Sequence, residues 1–160
     1  MIELGTNVGI SSAYIGAALK VNGDGGKIVT CDASSYRQRL AREMHRKLGI
    51  DNVSYVEGLF TDTLGDTLIK MGTVDLASID GHHQYQPTLD YFDKLYGFST
   101  GDAVIVFDDI RWSDGMIKVW SQLQADDRLG LLVDVVSMGI GVHRRAAITE
   151  RYILPSFEVP

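Results

Sequence analysis

The 160-residue chain has one cysteine and three prolines, and no uninterrupted apolar run of bilayer length. Cys31 alone makes no internal disulfide, and no Cys/His cluster has zinc spacing, so a disulfide framework and a zinc module are both excluded. The longest apolar stretches, Ala103 to Phe107 and Leu129 to Val136, are far short of a membrane span, and no basic segment followed by an apolar stretch opens the chain. A cytoplasmic protein without a membrane partner is expected. Basic residues are also scarce: 15 Lys and Arg against 21 Asp and Glu give a net charge of −6, and the longest basic run is the pair Arg144 and Arg145. Nucleic acid is therefore not the expected partner.

What the chain does have is 45% hydrophobic residues, enough for one core, and 17 glycines that punctuate regular structure. A single domain over residues 1–160 is expected. Apolar runs of strand length at Met1 to Leu4, Lys27 to Cys31, Val53 to Glu57, Val74 to Ile79 and Ala103 to Phe107 each precede a segment of helical periodicity. Tyr36, Leu40, Met44 and Leu48 read as the core stripe of one helix, ended by Gly49. Leu64, Leu68 and Met71 follow a cap at Thr61 or Asp62; Leu89, Phe92 and Tyr96 follow Pro87 and stop at Gly97; Met116, Trp120 and Leu123 follow Ser113.

Strand, helix and strand in alternation predict a doubly wound, mostly parallel sheet. The end departs from the rule, because only Ser137, Met138 and Gly139 separate the strand-like Leu131 to Val136 from Ile140 to His143. Three residues cannot hold a parallel crossover, so the last strand is expected to return antiparallel. Nothing precedes Met1, although the first strand should be central, which implies a missing cover. A second copy is one way to complete it, and the segment Arg151 to Pro160, with Ile153, Leu154 and Phe157, is compatible with packing on the sheet or on a neighbour, between which its sequence does not decide.

The first strand runs into Glu3-Leu-Gly5-Thr6-Asn7-Val8-Gly9-Ile10-Ser11-Ser12. Gly5 and Gly9 permit a tight turn, two serines mark the next helix, and amides at its start suit an anionic group. The spacing is E-x-G-x-x-x-G, neither the dinucleotide fingerprint nor a P-loop. Asp32 closes the second strand, where a carboxylate either accepts ribose hydroxyls or caps the helix near Ser34. Glu57-Gly58-Leu59-Phe60 ends the third strand, placed to flank an adenine.

Together with Ile79-Asp80-Gly81-His82-His83-Gln84-Tyr85, these loops resemble the class I S-adenosylmethionine-dependent methyltransferases, in particular small-molecule O-methyltransferases with an I-D-G-x-H-x-Y motif. The resemblance covers the whole chain and implies a Rossmann-like, seven-stranded sheet whose last strand is antiparallel. It implies that Glu3, Gly5, Thr6, Asn7, Gly9 and Ser11 hold the methionine end of S-adenosylmethionine, Asp32 the ribose, and Gly58 and Leu59 the adenine side, with Ala33, Asp80, Gly81 and His82 also among the cofactor contacts, His82 alternatively as a structural one. The absent feature is the N-terminal helical region that covers the substrate pocket in such enzymes.

Asp80 follows the fourth strand, and Asp108 and Asp109 follow the fifth. In a parallel sheet these ends adjoin, and three converging carboxylates call for a cation, Mg²⁺ being the natural one. Helix capping by Asp108 or Asp109 is the plainer alternative. His83, three residues after Asp80, is the candidate general base acting beside it. His45, in a charged helix, and His143, in the last strand, read as structural or solvated. Trp112 and Tyr85 border the same edge, as substrate contacts or loop anchors. The expected function is metal-assisted O-methylation of a small hydroxylated metabolite. The alternatives are a non-catalytic or partner-dependent S-adenosylmethionine-binding domain and, further off, a hydrolase or nucleotide oxidoreductase on the same sheet.

Overall fold

A computed structural model describes residues 1–23, 25–144 and 150–154. Arg145 and Phe157, named above, lie outside them. The chain divides into two compact units, Met1–Gly72 and the residues from Thr73 onward.

The first unit alternates β1 (Ile2–Leu4), α1 (Ile10–Asn22), β2 (Ile28–Asp32), α2 (Ser35–Lys47), β3 (Val53–Glu57) and α3 (Phe60–Met71). Its strands are parallel in the order β3-β2-β1, with Ile2 opposite Val29 and Asp32 opposite Glu57. Ile2, Leu4, Ile28 and Cys31 are buried, as strands covered on both faces require. Helix starts differ from expectation. Ser11 and Ser12 lie inside α1, whose N-cap is Gly9 in a left-handed conformation with no side-chain cap. Thr61 and Asp62 likewise fall in the first turn of α3 behind an uncapped Leu59, where Asp62 faces the positive end of the helix dipole. In α2 the Ser34 hydroxyl accepts from Arg37 N at 3.3 Å. The expected stripe of that helix is not its core: Tyr36 and Leu48 are exposed, and the buried residues are Gln38, Ala41 and His45. Small and polar side chains face inward because they meet the glycine loop, where Ala41 Cβ and the His45 ring close on Gly9.

The second unit runs β4 (Val74–Ile79), α4 (Tyr85–Phe98), β5 (Ser99–Phe107), α5 (Asp114–Leu123), β6 (Leu129–Val135), β7 (Met138–His143) and β8 (Glu150–Ile153). Its strand order is β4-β5-β7-β6-β8. The expected hairpin forms, with β7 antiparallel to both β6 and β5, but β7 sits between them rather than at the sheet's end. The final strand is β8, which pairs parallel with β6, so the described residues form eight strands and not seven. Within the described part of that segment, β8 pairs with β6 through its backbone and Ile153 and Leu154 are exposed; Pro155 to Pro160 lie outside the described residues. Pro87 lies inside α4, which runs on through Gly97 to Phe98. The core joins Phe92, Phe107 and Trp120, with ring centroids 5.8 and 6.2 Å apart in sequence, and Trp120 lies flat against Gly139. Each such buried aromatic contributes about 1.5–3 kcal/mol by burial. No helix among the described residues is long and apolar enough to cross a membrane.

Candidate functional site

In the first unit the β1–α1 loop is folded onto the end of β2. Gly5 N and Thr6 N both donate to Cys31 O, at 2.9 and 3.2 Å, and Gly9 N donates to Thr6 O at 2.8 Å. Gly5 and Gly9 have φ of 114° and 82°, and Asn7 joins them at 46°. That conformation is held by Asp32, whose Oδ2 accepts from Asn7 N at 2.9 Å while Oδ1 accepts from Ser34 N at 2.8 Å. Asp32 is buried, and the α2 cap is the Ser34 hydroxyl rather than the Asp32 carboxylate, which has about four acceptor positions of which these two amides use two.

Glu3 is turned inward. Its carboxylate accepts from Ser11 Oγ at 2.6 Å and Thr30 Oγ1 at 2.5 Å, and burial pushes its pKa above the ordinary glutamate value. Thr6 Oγ1 lies 2.7 Å from Thr30 Oγ1; with the Thr30 proton given to Glu3, Thr6 is the donor. Glu3, Thr6 and Ser11 therefore brace the loop from behind. Beside it Gly58 N donates to Asp32 O at 3.1 Å, Ala33 is exposed, and Leu59 offers a largely exposed apolar face. The donor set suits a nucleoside cofactor carrying a carboxylate: an α1 N-terminus with no side-chain cap, a carboxylate with acceptor capacity left, and an apolar wall. Burial pushes the Cys31 thiol up to about 12, which removes it from thiolate chemistry.

In the second unit Asp108 N donates to Ile79 O at 3.0 Å, stapling the ends of β4 and β5. The expected convergence is partly realised. His83 Nε2 stands 3.6 Å from Asp80 Oδ1 and 3.8 Å from Asp109 Oδ2, all three half-buried. Asp108 does not join them, because its Oδ1 accepts from Asp109 N at 2.9 Å and holds Asp109 at φ 53°. Among the described residues no group of three or more His, Cys, Asp or Glu side chains is placed to hold a metal ion. The arrangement does not fit Mg²⁺ bound by Asp80, Asp108 and Asp109; an imidazole occupies the approach between the two remaining carboxylates. His82 (φ 71°), after Gly81, pairs through Nδ1 with Tyr91 Oη at 2.8 Å, a structural contact. Tyr85 donates its hydroxyl to Gln122 Oε1 at 2.6 Å and is a loop anchor, whereas Trp112 is 74% exposed.

Sequence reasoning passed over several residues that build these loops. Arg111 forms a two-pronged ion pair with Asp134, at 2.8 and 2.7 Å, and tethers the turn that carries Asp109 to β6. Gln38 donates to Asp32 O and Val56 O, and buried His45 reaches Gly9. The available signal was the i, i+3, i+7 spacing of Gln38, Ala41 and His45 along a charged helix. His143 packs against Tyr96 with ring centroids 4.2 Å apart and the planes tilted by 46°, a structural role.

Residues 2–110 match the family model described as a methyltransferase domain. An uncharacterized protein, R132, of Acanthamoeba polyphaga mimivirus is 36% identical over 84 residues, a stretch covering 51% of this chain and 36% of that protein. The chain thus spans about a third of that curated relative's length. Among solved structures, the Bacillus cereus O-methyltransferase in complex with SAH is 23% identical, with 88% of this chain and 72% of that one covered and a TM-score of 0.71. The Streptomyces achromogenes O-methyltransferase TomG in complex with SAM, involved in tomaymycin synthesis, is 21% identical over 89% of this chain and 72% of its own, with a TM-score of 0.73. A putative O-methyltransferase from Klebsiella pneumoniae is 20% identical over the same shares of the two chains, with a TM-score of 0.70. These likenesses establish the Rossmann-like fold that such enzymes share.

Proposed function

The chain belongs to the methyltransferase-domain family, and from that premise we propose that it transfers a methyl group from S-adenosylmethionine to a hydroxyl oxygen of a small metabolite. The observation that carries this reading is the β1–α1 loop, closed on Asp32 in front of an uncapped helix N-terminus. In this reading the α1 N-terminus and Gly5–Gly9 take the methionine end, Asp32 the ribose hydroxyls and Leu59 the adenine face. When bound, S-adenosylmethionine supplies an electrophilic sulfonium methyl group. His83 Nε2 takes the proton of the substrate hydroxyl, and Asp80 and Asp109, 3.6 and 3.8 Å away, stabilise the imidazolium that results. No step is assigned to a divalent ion, because the side chains present offer it no ligand set.

The first experiment is calorimetric titration with S-adenosylhomocysteine, with and without Mg²⁺, followed by methyl transfer to a panel of hydroxylated acceptors. One-site binding is expected; no binding by folded protein overturns the reading. His83→Ala should lower transfer by about 10²-fold or more while leaving S-adenosylhomocysteine affinity in place; undiminished turnover would remove His83 from the mechanism. Transfer abolished by chelator and restored by Mg²⁺ would return Asp80, Asp108 and Asp109 to the metal role read from sequence. A second reading, an S-adenosylmethionine-binding domain that acts with a partner, is favoured by an apolar groove of about 470 Å³ lined by Ile10, Ala13, Tyr14, Met44, Leu48 and Ile50. Binding without transfer to any acceptor would select it.

A further inference from the structure

His45 is 1% exposed, and the mechanism above gives it no part. Its ring joins two elements. Nε2 lies 2.7 Å from Gly9 O and Nδ1 lies 2.5 Å from Tyr55 Oη on β3. A carbonyl only accepts, so Nε2 carries a hydrogen, and the Tyr55 hydroxyl can satisfy Nδ1 in either protonation state. Ser12 Oγ stands 3.4 Å from the same Nε2. The Gly9 carbonyl also accepts from Ala13 N at 3.0 Å, so the group that His45 holds is the first rung of α1. The fit is close: a Cβ at Gly9 would lie 2.7 Å from Ala41 Cβ and 2.8 Å from His45 Nε2. Tyr55 is steadied in turn by the Arg42 guanidinium, 3.9 Å above its ring.

We infer that His45, backed by Tyr55, is the positioning residue that fixes the β1–α1 loop in its ligand-competent form, so that its loss weakens nucleoside-cofactor binding without touching the chemistry. The inference rests on the proposed function, in which that loop receives S-adenosylmethionine. His45 touches no ligand; it acts through the Gly9 carbonyl, which sets where α1 begins and which way the amides of the loop face. Only the competent loop binds, so the apparent Kd rises as the inverse of the fraction of loop that keeps that form. One neutral hydrogen bond corresponds to about a five- to tenfold change.

The test is titration of wild type, His45→Ala, His45→Gln and Tyr55→Phe with S-adenosylhomocysteine, each shown to be folded by near-ultraviolet circular dichroism at the working temperature. His45→Ala should raise Kd about tenfold. His45→Gln, whose amide can again donate to Gly9 O, should recover most of that loss, and Tyr55→Phe should fall between it and wild type. In steady state the effect should appear in KM for S-adenosylmethionine and not in kcat, a division that general loss of stability does not produce. Wild-type affinity in His45→Ala, or equal losses in the Ala and Gln variants, would overturn the inference alone. Failure of wild type itself to bind would overturn the proposed function and this inference with it. If His45→Ala does not fold, His45→Gln and Tyr55→Phe carry the test: unchanged Kd in Tyr55→Phe together with a tenfold rise in His45→Gln would refute it.

Discussion

Replacing Asp134 by Ala removes four hydrogen bonds with one side chain. Its carboxylate is 2% exposed and accepts from Arg111 Nη1 and Nη2 at 2.8 and 2.7 Å, Trp120 Nε1 at 2.9 Å and Val136 N at 3.0 Å. Breaking a buried ion pair from one side costs about 3–5 kcal/mol. Arg111 is 47% exposed and regains water when its partner goes, which places the electrostatic part below that range. The buried Trp120 N–H is left without its acceptor, which adds about 1–3 kcal/mol. A net loss of about 3 kcal/mol follows, read as a fall in the urea midpoint at pH 7 with unchanged slope. Asp134→Asn, which keeps an acceptor oxygen but no charge, should lose about half as much. The pH dependence has a definite sign. The Arg111 hydrogen bonds hold the Asp134 carboxyl below the usual aspartate range, so its contribution is complete above the unfolded-state pKa and disappears as pH falls through the native one. The gap between wild type and Asp134→Asn should therefore close in acid. A loss under about 0.5 kcal/mol at pH 7, within the range of ordinary surface changes, or a gap unaltered by acid, would refute the clamp.

Gly9→Ala combines a φ of 82° with a Cβ 2.7 Å from Ala41 Cβ, and should cost about 2–4 kcal/mol and abolish S-adenosylhomocysteine binding, both measurable on one purified sample. Gly139→Ala drives a Cβ into the six-membered ring of Trp120, and should lower the unfolding midpoint through displacement of that ring, seen as altered tryptophan fluorescence; a wild-type midpoint would mean that the ring moves freely. Asp109→Gly relieves the φ of 53° but adds chain entropy to the unfolded state, so stability should stay within about 1 kcal/mol of wild type while methyl transfer falls; a larger loss of stability would show that the Asp109 side chain is structural.

The strands were legible because buried parallel strands read as continuous apolar runs, and Val53–Glu57 and Val74–Ile79 fall where the sequence puts them. The β6–β7 hairpin was legible from the shortness of its connection, though not its place inside the sheet between β5 and β8. β8 was not, since Glu150–Ile153 is exposed throughout and joins β6 by backbone bonds that leave no pattern in side chains. Helix α2 misled because periodicity rewards apolar residues, whereas its inner face packs on a glycine loop that admits only Gln38, Ala41 and His45. At the site, strand-end position put Asp80, Asp108 and Asp109 on one edge, and of these Asp80 and Asp109 stand 3.6 and 3.8 Å from His83 Nε2. It could not show that Asp108 turns back on Asp109 N, because that depends on one backbone angle and not on spacing.

Backbone strain separates the parts of these loops that are braced from the part available for chemistry. Among the described residues, five non-glycine residues have positive φ: Asn7, His82, His83, Asp109 and Val136. Asn7 is pinned by Asp32 Oδ2, Val136 by Asp134 Oδ1, Asp109 by Asp108 Oδ1, and His82 by Tyr91 Oη. Asp32 and Asp134 thus perform the same task in their own units, as buried carboxylates near strand ends that accept the amide of a strained neighbour. His83 differs. Its φ is 34°, and its Nε2 lies 3.6 and 3.8 Å from the Asp80 and Asp109 carboxylates, beyond the reach of a hydrogen bond. In the proposed mechanism this nitrogen is the one that takes the substrate's proton, the part that the other four strained residues, each bound to a neighbour, do not have.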